Sequence, residues 1–232
     1  MRVTIHQPEH LPWLGLLAKV AASELWIVLD SVPYRKNYFQ NRNRVLLGGR
    51  PTWVTVPVTA PFGTPIGDVR ICEVPSWRRR YRGRLSQAMF GMPGAHKVDD
   101  LLSSVDSAAP GSSLADLNLN LSDWLLAQFD VKVPRIRSSE LDAAGTKGEL
   151  IINLCRAVGA DEYLAGPSGR DYLDLEAFAR QGIKVSFFDF DHPTYPQDGD
   201  TFVPCLSAVD ACARLAPEEL PPLLSGYRLG AS

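Results

Sequence analysis

The chain has 232 residues, 45% hydrophobic and 22% charged, with a formal net charge of −2. This is the balance of a folded globular protein with a sizeable core, not of a disordered segment. It provides no overall positive field for nucleic acid or acidic membranes, and no apolar run approaches the roughly 20 residues of a membrane span.

Val3 to His6 reads as a short buried strand, entered directly from Met1-Arg2 without the apolar core of a secretory leader. Pro12 to Ala22 carries Leu14, Leu17, Ala18 and Ala21 at helical spacing, with Pro12 in the first turn. Leu25 to Leu29 is an apolar run of strand length ending at Asp30. These three form a β-α-β unit, the builder of parallel sheets. Trp53 to Val58 and Val69 to Val74 read as a hairpin-like pair of strands across a Pro/Gly loop. Helices follow, interrupted at Pro93-Gly94, and leucines 114, 117, 121, 125 and 126 give residues 113–129 a core-facing stripe. Alternation then resumes. A strand is expected at 133–137 and a helix at 146–158, opened by a Thr146/Glu149 capping box. A strand at 163–165, a helix at 170–180 and a strand at 185–188 come next, and a Ser207/Asp210 box starts a last helix. The whole reads as one α/β domain over 1–232. It is a Rossmann-like layered fold with a mainly parallel sheet and a helical insert at about 77–130. The cysteines at 72, 155, 205 and 212 form no C-x-x-C pair and suggest reduced thiols in a cytoplasmic protein.

In open parallel sheets ligands bind beyond the carboxyl ends of the strands. His6, Gln7, His10 and Trp13 sit at the first such end. A histidine there can meet a phosphate or carry a proton near neutral pH, although a lone histidine is more often structural. No third ligand nearby suggests a metal site. Residues 34–44, YRKNYFQNRNR, hold four basic residues, three asparagines and no acid. Lys36, Asn37, Asn41, Arg42, Asn43 and Arg44 suit an anion, with Tyr34, Tyr38 and Phe39 able to stack. In LAGPSGRDYLD, Gly166, Ser168 and Gly169 permit close backbone approach ahead of a helix, with Ser168 a ligand or a cap and Tyr172 nearby. In DFDHPTYPQ, Asp191 beside His192 is a candidate base pair, followed by Tyr195 and Gln197. The arginines of WRRRYRGR, residues 77–84, suggest a solvated helix face.

Taken together, IHQPEHLPWLGLLAK, VLDSVPYRKNYFQNRNRV, WVTVPV, TKGELIINLCRAVGADEYLAGPSGRDYLD and HPTYPQDGDTFVPCLSAVD resemble the WbqC-like family over nearly the whole chain. The resemblance implies a bacterial enzyme of O-antigen polysaccharide or natural-product biosynthesis. Its expected activity is transfer of glycine or another aminoacyl group to a sugar amine or hydroxyl. The corresponding motif residues are His6, Gln7, Pro8, Pro12, Gly15 and Lys19; then Asp30, Lys36, Asn37, Asn41, Arg42 and Asn43; then Gly166, Tyr172, His192, Tyr195, Gln197, Ser207 and Asp210. His10 stands where the family pattern expects tyrosine and Cys205 where it expects asparagine, so a different acceptor is open. The opening unit also looks like the nucleotide-binding start of HIGH-type nucleotidylyltransferases, but with H-x-x-x-H in place of H-x-G-H.

Three functions fit these residues. The first is an acyl or aminoacyl transferase acting between an activated donor, a carrier thioester or aminoacyl-tRNA, and a sugar or small-molecule acceptor. His6, or His192 with Asp191, would be its base, and Asn37, Asn41 or Asn43 its oxyanion donors. Lys36, Arg42 and Arg44 would hold phosphates, and Gln7, His10, Trp13, Ser168, Tyr172, Tyr195 and Gln197 would line the site. The second is an ATP-dependent ligase using Mg²⁺, in which His6, His10, Lys36 and the loop at 166–170 surround a triphosphate. The third is a partner that binds sugar nucleotide or carrier without turnover. Only the ligase calls for a cofactor, and none of the three needs a membrane or duplex DNA.

Overall fold

Short apolar runs supply the strands of one central sheet, and the segments between them supply its covering layers. The computed structural model describes residues 1–231. It opens with β1 (Arg2–His6), α1 (Leu14–Ala21) and β2 (Leu25–Val28), the expected β-α-β unit. Pro12 lies just ahead of α1 rather than in its first turn. Two antiparallel pairs follow: β3 (Arg42–Leu47) with β4 (Arg50–Thr55), and β5 (Val58–Thr59) with β6 (Arg70–Ile71). Then come α2 (Trp77–Ala88), α3 (Lys97–Ser107) and α4 (Leu114–Gln128). The alternation resumes with β7 (Arg135–Arg137), α5 (Lys147–Ala157), β8 (Glu162–Ala165), α6 (Leu175–Arg180), β9 (Lys184–Phe190), α7 (Val209–Arg214) and β10 (Tyr227–Ala231).

The central sheet has the order β10-β9-β8-β1-β2-β7, parallel throughout except for β10 against β9. Its alternating side chains feed two cores. Trp26, Val28, Leu164 and Phe188 pack with α1, α7 and the helices α2 to α4. Val3, Ile5, Ile27, Tyr163 and Val185 pack on the opposite face with α5 and α6. Burial on both faces explains why these strands read as continuous apolar runs.

Several local expectations change. Residues 42–47, read as part of a polar segment, form β3, whose turn to β4 uses Gly48 and Gly49 at φ +57° and +73°. Those signs suit a two-residue hairpin. The run at 53–58 is therefore divided between β4 and β5, and only two residues of 69–74 pair with β5. The helix expected over 170–180 begins at Leu175, because Asp174 caps it by accepting from Ala177 N–H at 3.0 Å. Residues 167–171 form a 3₁₀ turn instead. Thr146 precedes α5 without a side-chain cap bond, and Asp210 is buried against Arg214 rather than closing a capping box.

Candidate active site

The chain leaves β1 toward β2, whereas β8 lies on the other side of β1. Where strand order reverses in this way, a crevice opens between the carboxyl ends of the two strands. His6 ends β1 and Ala165 ends β8, and a cavity of about 460 Å³ occupies the crevice. His6, Glu9, Trp13, Lys19, Tyr163 and the 166–169 loop, with Ser168, wall it, and Ile5, Tyr38, Phe39, Asn43, Tyr172 and Cys205 complete the lining.

Glu9 and Lys19 are the unusual members. They are 7% and 6% exposed. Buried charges are normally paired, because leaving water is costly for an ion. Here Glu9 Oε2 is buried with no hydrogen-bond partner. Burial raises the Glu9 carboxyl to about 7, with the Lys19 charge opposing. Burial lowers the Lys19 ammonium to about 8, with Glu9 opposing and no hydrogen bond contributing. An acid and an amine that face one cavity without bonding each other are an arrangement for meeting a third group.

His6 completes the cluster. Its Nδ1–H donates to the Gln7 carbonyl at 2.9 Å, which leaves Nε2 as an acceptor. Nε2 lies 3.9 Å from Glu9 Oε1. Burial, then the Lys19 charge, lowers the imidazole to about 3, so it is neutral at pH 7. A Cβ at Gly166 would stand 3.9 Å from Lys19 Nζ, an ordinary contact distance, so the loop and the ammonium lie close together.

Trp13 forms a wall by lying across α1. A Cβ on Gly15 would fall 2.2 Å from its ring. Behind it His192 stacks on the indole at 6.2 Å and 10°, and Phe190 meets it edge-on. The His192 Nδ1–H donates to the Pro193 carbonyl at 2.8 Å, and its Nε2 is buried without a partner. Asp191 turns outward to Arg228 at 3.0 Å, so the structure does not join Asp191 and His192 as a pair. A recess of about 170 Å³, lined by Leu16, Phe188 and Phe190, adjoins the wall and also touches His6 and Lys19.

Other candidates hold the frame. His10 is fully buried, its ring nitrogens bonded to Asn118 Oδ1 at 3.0 Å and the Tyr81 hydroxyl at 2.7 Å. It ties the loop after β1 to α2 and α4. Gln7 Oε1 accepts from Gln40 at 2.6 Å. Asn43 lines the cavity, but its amide already donates to the His10 and Leu11 carbonyls and accepts from Arg44 N–H. The bond to Leu11 helps hold that residue at φ +45°, a costly backbone state for leucine. Asn41 donates to the Val56 carbonyl. Arg42 and Arg44 lie over Trp53 at 4.1 and 5.8 Å. Tyr195 is buried, and Gln197 bridges Val203 and Asp210, away from the cavity. Lys36, Asn37 and Asn41 face a separate cavity of about 560 Å³. On α2, Arg78 pairs with Glu73 and Arg82 with Asp106.

Sequence reasoning passed over Glu9 and gave Lys19 no role. A signal was present: apart from Arg2, they are the only Asp, Glu, Lys or Arg residues in the first 23. An isolated charge in so apolar a stretch is either misplaced or functional.

The profile of the WbqC-like protein family matches residues 7–221. The Uncharacterized protein Rv1507c of Mycobacterium tuberculosis is 28% identical over 212 residues, covering 90% of this chain and 91% of its own. No solved structure matches.

Proposed function

The chain belongs to the WbqC-like protein family, and from that premise we propose an acyl or aminoacyl transferase on a Rossmann-like sheet, forming an amide or ester on a sugar or small-molecule acceptor. The observation that carries the proposal is the buried, mutually unbonded Glu9 and Lys19 on one cavity, beside the free Nε2 of His6.

The base assignment moves from His6 to Glu9. A general base works best when its own pKa lies near the working pH. Glu9 at about 7 meets that condition, and His6 at about 3 does not. His6 Nε2 instead accepts a hydrogen bond from the attacking amine or hydroxyl and orients it. As the acceptor atom bonds to the donor's carbonyl carbon, its proton passes to the Glu9 carboxylate. The carbonyl oxygen becomes an oxyanion opposite the Lys19 ammonium. Collapse of the tetrahedral intermediate re-forms the carbonyl and breaks the bond to the leaving thiol or tRNA oxygen. Glu9 returns the proton to that leaving group. The apolar recess behind Trp13 suits a short acyl or amino-acid side chain.

The test is mass spectrometry of reactions pairing acyl-carrier thioesters or aminoacyl-tRNA with amino-sugar nucleotides. An acylated product is expected. Its rate should rise as Glu9 ionises near pH 7 and fall as Lys19 loses its proton near pH 8. Glu9→Gln should lower the rate by about 10²-fold or more, as removal of a general base does. Product formation unchanged in Glu9→Gln contradicts the proposal.

A further inference from the structure

The second cavity has its own chemistry. Its volume is about 560 Å³, and Tyr34, Arg35, Lys36, Asn41 and Phe62 line it, with no carboxylate among its lining residues. Half of the other cations are committed: Arg78, Arg82, Arg135, Arg137, Arg170, Arg214 and Arg228 are among those that pair with a carboxylate. Among the described residues no acid pairs with Arg35 or Lys36, and Arg35 rests only on the Tyr38 ring at 4.6 Å. Phe62 stands fully in water at the tip of a Pro61-Phe62-Gly63 loop, beside half-buried Tyr34. Asn41, 8% exposed, keeps its amide oxygen buried and unpartnered.

We propose that this cavity is a nucleoside diphosphate site. A base ring would stack against Phe62 and Tyr34, and the diphosphate would lie on Lys36 and Arg35 as paired cations. The geometry links this site to the first cavity through one loop. Tyr34, Arg35, Lys36, Asn37 and Asn41 face the second cavity, while Tyr38 and Phe39 face the first. Asn37, at φ +62°, turns the chain between them, and Arg42 bonds its carbonyl. Gln40 fixes the loop from below through Gln7 and the backbone of Arg35, and its own carbonyl accepts from buried Asn118 at 2.7 Å. A substrate with its diphosphate in the second cavity would extend its reacting end past Tyr38 toward Glu9. This rests on the transferase reading for its purpose but not for its test.

Two sources carry the group: a sugar nucleotide, and coenzyme A through its adenosine diphosphate. Isothermal titration of the full chain with UDP, and separately with coenzyme A, distinguishes them. One of the two should bind, and its affinity should fall at least tenfold in Lys36→Ala with Arg35→Ala and in Phe62→Ala. All three side chains are exposed, so circular dichroism should show these variants folded. Glu9→Gln should retain the binding, whatever it does to turnover. Absence of binding by both probes overturns the site. So does binding that survives the second-cavity changes, or that Glu9→Gln removes.

Discussion

At the scale of the residue, Glu9 is the proposed base and leaves a stability signature. It holds its proton to about pH 7 in the folded chain, against 4.5 for the ordinary side chain, because burial penalises the carboxylate. Between those values the folded state binds more protons than the unfolded state, so this group makes stability fall as pH rises across the window. Glu9→Gln removes that dependence. Its thermal midpoint should match the native protein below about pH 4.5 and pull ahead as pH rises toward 7. Midpoints at fixed ionic strength measure this. A gap that does not change with pH would mean an ordinary Glu9. His6 contributes with the opposite sign, since its folded value is lowered, but it does so in both proteins and cancels from the comparison.

At the scale of the element, α1 builds the site. Leu14, Leu16, Leu17, Ala18 and Val20 bury the helix in one core, which carries Lys19 inward with them. Gly15 lets the Trp13 indole fold back over the first turn. Gly15→Ala should force the indole off the cavity wall. We expect a loss of about 1–3 kcal/mol, as in other overpacked sites, together with altered Trp13 fluorescence. An unshifted spectrum and unchanged stability would show that the indole packs elsewhere. The β-α-β start and the helices at 114–128 and 147–157 were legible in the sequence because their apolar periods are clean. β3 was not. Buried Asn43 and Val45 alternate with Arg42 and Arg44, so the period of two is present but polar at its first inward position. The 170–180 helix was misjudged because Asp174, not Ser168, supplies the cap.

At the scale of the whole molecule, the strand ends were legible and the ionisation of the site was not. His6 and Gly166 could be placed at one sheet edge from the order of the elements alone. The burial of Glu9 depends on contacts far along the chain. Asn118 on α4 donates to the Pro8 and Gln40 carbonyls, and Tyr81 on α2 meets His10. These bonds hold the loop after β1 against the helices, and no local pattern announces a partner 110 residues away. For the same reason His10 looks like a site residue in sequence and is a fastener in the fold. No helix among the described residues is long and apolar enough to cross a membrane. The assembled fold holds Glu9 as an acid poised near neutrality on an open cavity. The most direct measurement is a carbon-13 NMR titration of the glutamate side-chain carboxyls, with Glu9→Gln to assign the resonance. A Glu9 midpoint near pH 7 is the expected result, and a midpoint in the ordinary glutamate range, about 4.3, would contradict it.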